Sequence, residues 1–117
     1  MSQMVEGTIT TGPIRASGYA VRFRKAAFGA LSGAIKAGLV GIKDVSDEVG
    51  RVDTALYRVF VEGHRIPKEA VVNIRARYSV DGGHLHITDI AVEAYALDGA
   101  LSEALTAGAR AELGAQQ

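Results

Sequence analysis

The sequence predicts an α+β domain: a small antiparallel sheet of three or four strands cradled by two main helices, with an Ala-rich helix at the C-terminal end. Three observations carry this prediction. Apolar residues recur at spacings of three and four up to residue 59, then alternate strictly between residues 71 and 80. The alternating run ends on Asp81-Gly82-Gly83-His84, strong hairpin-turn chemistry, and a second apolar run follows it. The size also fits: 117 residues, 48% hydrophobic and 22% charged, suit a single folding domain. Residues 7–97 form its expected core and residues 98–117 the C-terminal helix.

Val5–Arg15 is rich in Thr and Ile but broken by Gly12-Pro13, so it reads as a short strand, a break and a second very short strand at Ile14–Ala16. Ser17 is placed as the N-cap of a helix from Gly18 to about Ala37, whose apolar face is Ala20, Phe23, Ala27, Leu31 and Ala34. Small residues thin the middle of that helix, and Gly38 suits its end. A second helix, capped by Asp44 or Ser46, carries the stripe Val45, Val49, Val52, Leu56 and Val59 and stops near Gly63. Acidic residues in its first turns complement the helix dipole.

In the first long strand Val72, Ile74, Ala76, Tyr78 and Val80 point to the core, while Asn73, Arg75, Arg77 and Ser79 point away. The return strand, Leu85–Leu97, changes phase around Thr88-Asp89, as a β-bulge requires. That register sets Val80 opposite Leu85, Tyr78 opposite Ile87, Ile74 opposite Val92 and Val72 opposite Ala94. Asp98-Gly99 breaks the strand. The last helix, Ala100–Leu113, offers Leu101, Ala104, Leu105, Ala111 and Leu113, and reads equally as an oligomer contact or a loosely docked tail.

The chemistry is sparse. There is no cysteine, which excludes disulfides, thiolate nucleophiles and cysteine-ligated metals. No phosphate-binding glycine motif or nucleophile elbow is present. His84 and His86 lack the further ligands a metal needs, and His64 suits a helix end. No catalytic residue, metal or cofactor is therefore expected, and the chain is not read as an enzyme. The longest uncharged stretch, Ala26–Ile35, is ten residues, against about 20 for a bilayer span. No signal peptide is read at the start, so the expectation is a cytoplasmic chain without a membrane partner.

Net charge is zero, yet residues 1–80 hold 12 of the 13 basic residues against 7 acidic ones. Such asymmetry points to an anionic partner for the basic part, or to pairing of the two halves within or between subunits. Basic residues also interleave with aromatic ones: Arg15, Tyr19, Arg22, Phe23, Arg24, Lys25 and Phe28, then Tyr57-Arg58, then Arg75-Ala76-Arg77-Tyr78. Single-stranded nucleic acid is bound by this combination, cations tracking phosphates and rings stacking on bases. Phe23 and Tyr78 fall on core faces, which leaves Tyr19, Tyr57 and Tyr95 as the platforms.

The run Thr11-Gly12-Pro13-Ile14-Arg15-Ala16-Ser17-Gly18-Tyr19-Ala20, continuing through Arg22-Phe23-Arg24-Lys25-Ala26-Ala27-Phe28, resembles the opening of the archaeal ThermoDBP-type single-stranded DNA-binding domain. The order of elements over residues 7–97, including Val-Asn-Ile-Arg-Ala-Arg-Tyr in the hairpin, is similar too. The resemblance implies an apolar cleft flanked by basic residues, to which Arg15, Tyr19, Arg22, Arg24 and Lys25 correspond. Tyr57, Arg58, Arg75 and Arg77 come from the residue pattern instead. The chain lacks the C-terminal leucine zipper of the main group, so it resembles the shorter ThermoDBP-related group, which implies a homo-oligomer, a tetramer among the options, that entraps the strand. The expected function is non-sequence-specific binding of single-stranded DNA. Single-stranded RNA and an oligomeric protein–protein scaffold are the alternatives.

Overall fold

In the computed structural model of the chain, which describes residues 4–95 and 99–115, the switch in hydrophobic period is the boundary between helices and hairpin. The elements run β1 (Val5–Thr10), β2 (Ile14–Arg15), a 3₁₀ turn (Ala16–Gly18), α1 (Tyr19–Lys36), α2 (Ile42–Tyr57), a π-helical turn (Arg58–Gly63), β3 (Val71–Asp81), β4 (His84–Ala94) and α3 (Gly99–Ala115). β3 is the centre of a four-stranded antiparallel sheet, with β4 on one side and β1 and β2 end to end on the other.

The break between β1 and β2 is local chemistry. Pro13 has no N–H to give, and Gly12 adopts φ 69°, a left-handed conformation. Thr11 spans the gap: its N–H donates to the Ile74 carbonyl at 3.0 Å, and its hydroxyl accepts the Ile74 N–H at 3.1 Å. In the β3–β4 turn Gly82 and Gly83 both have positive φ, 60° and 83°, as a type I′ turn demands. The register is the one the alternation predicts, and the bulge lies at Thr88: Tyr78 pairs with Ile87 and Arg77 with Asp89. Gly7 lies opposite Tyr78, whose ring crosses it; a Cβ at Gly7 would come within 2.6 Å of the phenol oxygen.

One face of the sheet is the core. Ile9, Val72, Ile74, Ala76, Val80, Leu85, Ile87, Ile90 and Val92 are buried against Phe23, Ala27 and Leu31 of α1 and Val45, Val49, Val52 and Leu56 of α2. The other face is polar. Thr10, Asn73 and Glu93 form a hydrogen-bonded row across it, and Arg75 pairs with Glu93.

Several expectations are corrected at element ends. Ser17 does not cap α1; it lies in the 3₁₀ turn, and Gly18 is the N-cap with no side-chain bond. Neither Asp44 nor Ser46 caps α2, because the helix begins earlier, at Ile42, behind Gly41. The Asp44 and Glu48 carboxylates instead accept the backbone N–H groups of Leu85, at 2.6 Å, and Ile87, at 2.9 Å. His84, exposed at the turn, also contacts Asp44 through Nδ1 at 3.1 Å. β4 is described as far as Ala94, with Tyr95 in a turn; Leu97, Asp98 and the side chain of Leu101 lie outside the described residues.

α3 is docked, not a loose tail. Leu105, Ala109 and Leu113 are buried, whereas Ala104 and Ala111, expected inside, are exposed. The Thr106 hydroxyl accepts from the Val92 N–H at 2.8 Å and donates to its carbonyl at 2.9 Å. Ser102 likewise accepts from the Ala94 N–H at 2.9 Å. The helix thereby takes the place of a neighbouring strand along β4.

Candidate nucleic-acid interface

The 3₁₀ turn, the start of α1 and the π-helical end of α2 enclose a cleft of about 330 Å³. Tyr19, Tyr57, Phe60, Val61 and Ile66 make it mainly apolar, and Lys68 stands at its margin. Backbone bonds hold its walls: Ala16 N–H donates to Ala70 O at 2.8 Å, Ser17 N–H to Lys68 O at 3.1 Å, and Ile66 N–H to Phe60 O at 2.9 Å. Arg65, at φ 49°, turns the chain from the π-helical end into this wall.

Ser17 is shared with a second groove, about 400 Å³, lined by Pro13, Ile14, Arg15, Gly18 and Arg22. An apolar aromatic cleft and a basic groove are therefore contiguous around the 3₁₀ turn. Among the described residues Arg15, Arg22, Lys25 and Lys68 have no ion pair or side-chain hydrogen bond.

The two tyrosines differ in freedom. Tyr19 donates its hydroxyl to the Asp53 carbonyl at 3.2 Å and meets Phe60 edge-on, with ring centroids 5.3 Å apart. Burial, with smaller contributions from Asp53 and Tyr57, pushes its phenol up to about 12, so it stays a donor. Tyr57, which also lines the cleft, is 49% exposed. Beneath them the Asp53 carboxyl is pushed up to about 6 by burial, against the pull of Arg24, and its Oδ1 is buried without a hydrogen-bond partner.

The structure brings Arg15, Tyr19, Arg22 and Tyr57 to the cleft and its groove. Lys25 lies one turn beyond Arg22, exposed. Arg24 faces the other way, donating to Ser46 at 3.2 Å and lying 5.9 Å from the Phe28 ring centroid. Arg58 pairs with Glu112 at 3.3 Å. Arg75 and Arg77 are on the polar sheet face, opposite the helices; Arg77 lines a separate cup of about 520 Å³ with Met4, Glu6, Thr8, Ser79 and Thr88. Tyr95 is 40% exposed just beyond β4 and lines neither the cleft nor the groove. Phe60, Val61, Ile66 and Lys68 are cleft residues that the sequence pattern does not single out. Among the described residues no cluster of metal-ligating side chains occurs, and no helix is long and apolar enough to cross a membrane.

Known structures share this fold. Over 80% of this chain and 44% of the other, the fold superposes on apeThermo-DBP-RP2, solved bound to the single-stranded DNA dT10, with a TM-score of 0.72 and 29% identity. The chain thus spans under half the length of that protein. A crystal form of pfuThermo-DBP-RP1 matches over 94% of this chain and 70% of its own, with a TM-score of 0.67 and 24% identity, a likeness of fold. No curated protein matches. The family model for ThermoDBP-related proteins of archaea matches residues 9–86, two-thirds of the sequence and every element from the end of β1 to the start of β4. The chain belongs to the ThermoDBP-related archaeal family.

Proposed function

We propose that this protein binds single-stranded DNA without sequence specificity, in the cytoplasm and as a homo-oligomer, using the cleft around the 3₁₀ turn. The observation that carries the reading is the continuity of an exposed aromatic face at Tyr57 with the unpaired cations Arg15, Arg22 and Lys68. A flexible strand presents phosphates and unpaired bases at one repeat, so a site for it needs charge and ring faces side by side. A duplex hides its base faces and gains only the charge term. The single-stranded DNA bound to apeThermo-DBP-RP2 supports the same reading.

The test is a fluorescence-anisotropy titration of labelled oligo-thymidine, with a duplex and oligo-uridine as comparators. Preference for the thymidine strand over duplex is the expected result. Equal affinity for duplex would reduce the interface to a basic patch, and preference for uridine would make RNA the ligand. Absence of binding at low salt would leave the protein–protein scaffold.

A further inference from the structure

The two edges of the sheet are treated in opposite ways. The bonds between Thr11 and Ile74 fix which backbone groups of β1 face β3, and alternation turns those of Glu6, Thr8 and Thr10 outward. Along β4, the outward N–H groups of Leu85, Ile87, Val92 and Ala94 each end on a side chain: Asp44, Glu48, Thr106 and Ser102. Along β1, among the described residues, the outward groups of Glu6, Thr8 and Thr10 have no partner, and all three residues are exposed. β1 also lacks the usual defences of a free edge. Val-Glu-Gly-Thr-Ile-Thr holds no lysine, proline or bulge and a single charge.

We propose that β1 is the edge through which subunits join, a second copy of the chain pairing with it antiparallel about a two-fold axis at Thr8 so that the sheet runs on from one subunit into the next. This deepens the homo-oligomer part of the proposed function and rests on it. The occupant is a second copy because the strand is complementary to itself. Centred on Thr8, the pairing satisfies all three outward residues of each copy and sets Glu6 against Thr10, so no like charges meet. It also lays the exposed Met4 opposite Gly12.

The helix above the edge agrees. α1 packs on β1, and its Arg24 side faces α2. The flank away from α2 carries Ala26, Gly29, Ala30 and Gly33, at spacings that share one helix face. A Cβ built on Gly29 or Gly33 meets nothing within 4 Å, so that flank leaves room for the second copy's helix to lie alongside once the edges pair.

The absence of cysteine makes the test direct. A hydrogen-bonded antiparallel pair brings facing Cα atoms to about 5.5 Å, inside the roughly 4.4–6.8 Å that a disulfide spans. Under mild oxidation Thr8→Cys is expected to form a covalent dimer. Glu6→Cys and Thr10→Cys should cross-link when mixed but not singly, and Thr88→Cys, on β4, should not. In parallel, Thr8→Pro removes an outward N–H that bonds nothing among the described residues, and its sedimentation mass is expected to fall to half that of the parent or less. Cross-linking of Thr8→Cys no greater than that of Thr88→Cys overturns the proposal, as does an unchanged mass for Thr8→Pro or a monomeric parent at micromolar concentration. Oligo-thymidine anisotropy on the same samples separates the two readings. Thr8→Cys that cross-links while the parent binds no strand fails the cleft alone; a parent that binds the strand without edge cross-links fails the edge alone.

Discussion

Tyr19 and Tyr57 line one cleft but differ in what already holds them. Tyr19 is committed to the Asp53 carbonyl and the Phe60 ring, whereas half of Tyr57 faces solvent. A base can stack only on a free face. Stacking contributes about 1–3 kcal/mol per base, so Tyr57→Ala is expected to weaken oligo-thymidine binding by about 5- to 150-fold with little change in melting temperature. Tyr19→Phe keeps its ring and loses one hydrogen bond, a stability cost of about 1 kcal/mol, and its affinity should match the parent's. Anisotropy and calorimetry on the two variants check this; an affinity loss for Tyr19→Phe as large as that for Tyr57→Ala would assign the binding to the Tyr19 hydroxyl as much as to the Tyr57 ring. Asp53 gives a second prediction at this scale. Its carboxyl has pKa 3.8 ordinarily and about 6 in the fold, so the folded state holds the proton more tightly. Its contribution to stability is fully present below pH 3.8 and is lost as pH rises through 6. Asp53→Asn removes that loss, so its melting temperature should exceed the parent's by a margin that grows from pH 4.5 to pH 7 and then levels off. A margin independent of pH would assign the effect to packing.

At the scale of elements, the closing of β4 rests on a match of periods. Two residues four apart on a helix are separated by about 6 Å along its axis, and two residues apart on a strand by about 6.7 Å. Asp44 and Glu48 on α2 meet Leu85 and Ile87 in this way, and Ser102 and Thr106 on α3 meet Ala94 and Val92. Burial alone would raise the Asp44 carboxyl, but the bonds from Leu85 and His84 hold it below its ordinary value. Glu48 behaves likewise through Arg51 and Ile87. Thr106→Val keeps the shape of the side chain and strands the Val92 N–H and carbonyl. The expected cost is roughly 1–3 kcal/mol, with faster hydrogen exchange at the Val92 amide and oligo-thymidine affinity unchanged. Unaltered exchange would show that α3 is held by Leu105, Ala109 and Leu113 alone.

These edge contacts mark the limit of what the sequence makes legible. The register of β3 on β4, the bulge at Thr88 and the stripe on α2 follow from periods of 2 and 3.6, which are local. Asp44 and Ser17 are good caps in isolation, but Ser17 lies in the 3₁₀ turn and Asp44 bonds to residues some forty positions away. The cleft was half legible for the same reason. Arg15, Tyr19 and Arg22 lie in one local run, but Phe60, Val61, Ile66 and Lys68 reach it through a π-helical turn and a left-handed Arg65. No local spacing encodes either.

At the scale of the whole molecule, the charge gradient resolves into two kinds of cation. Arg58 and Arg75 pair with Glu112 and Glu93, acidic residues of the other half of the chain. Arg15, Arg22 and Lys68 pair with nothing among the described residues and stand around the cleft. Only unpaired cations release counterions from a bound strand without first breaking a contact of their own. Each phosphate neutralised adds about −0.7 to the slope of log affinity against log salt for a single strand. Engagement of all three gives a slope of about −2 per cleft, and of about −3 where Lys25, one turn from Arg22, also reaches the strand. Arg22→Ala is expected to make the slope shallower by about 0.7, while Arg75→Ala, on the opposite face, should leave it unchanged. Anisotropy titrations over a salt series measure both. The reverse result, a shallower slope for Arg75→Ala and none for Arg22→Ala, would move the strand from the cleft to the polar face of the sheet.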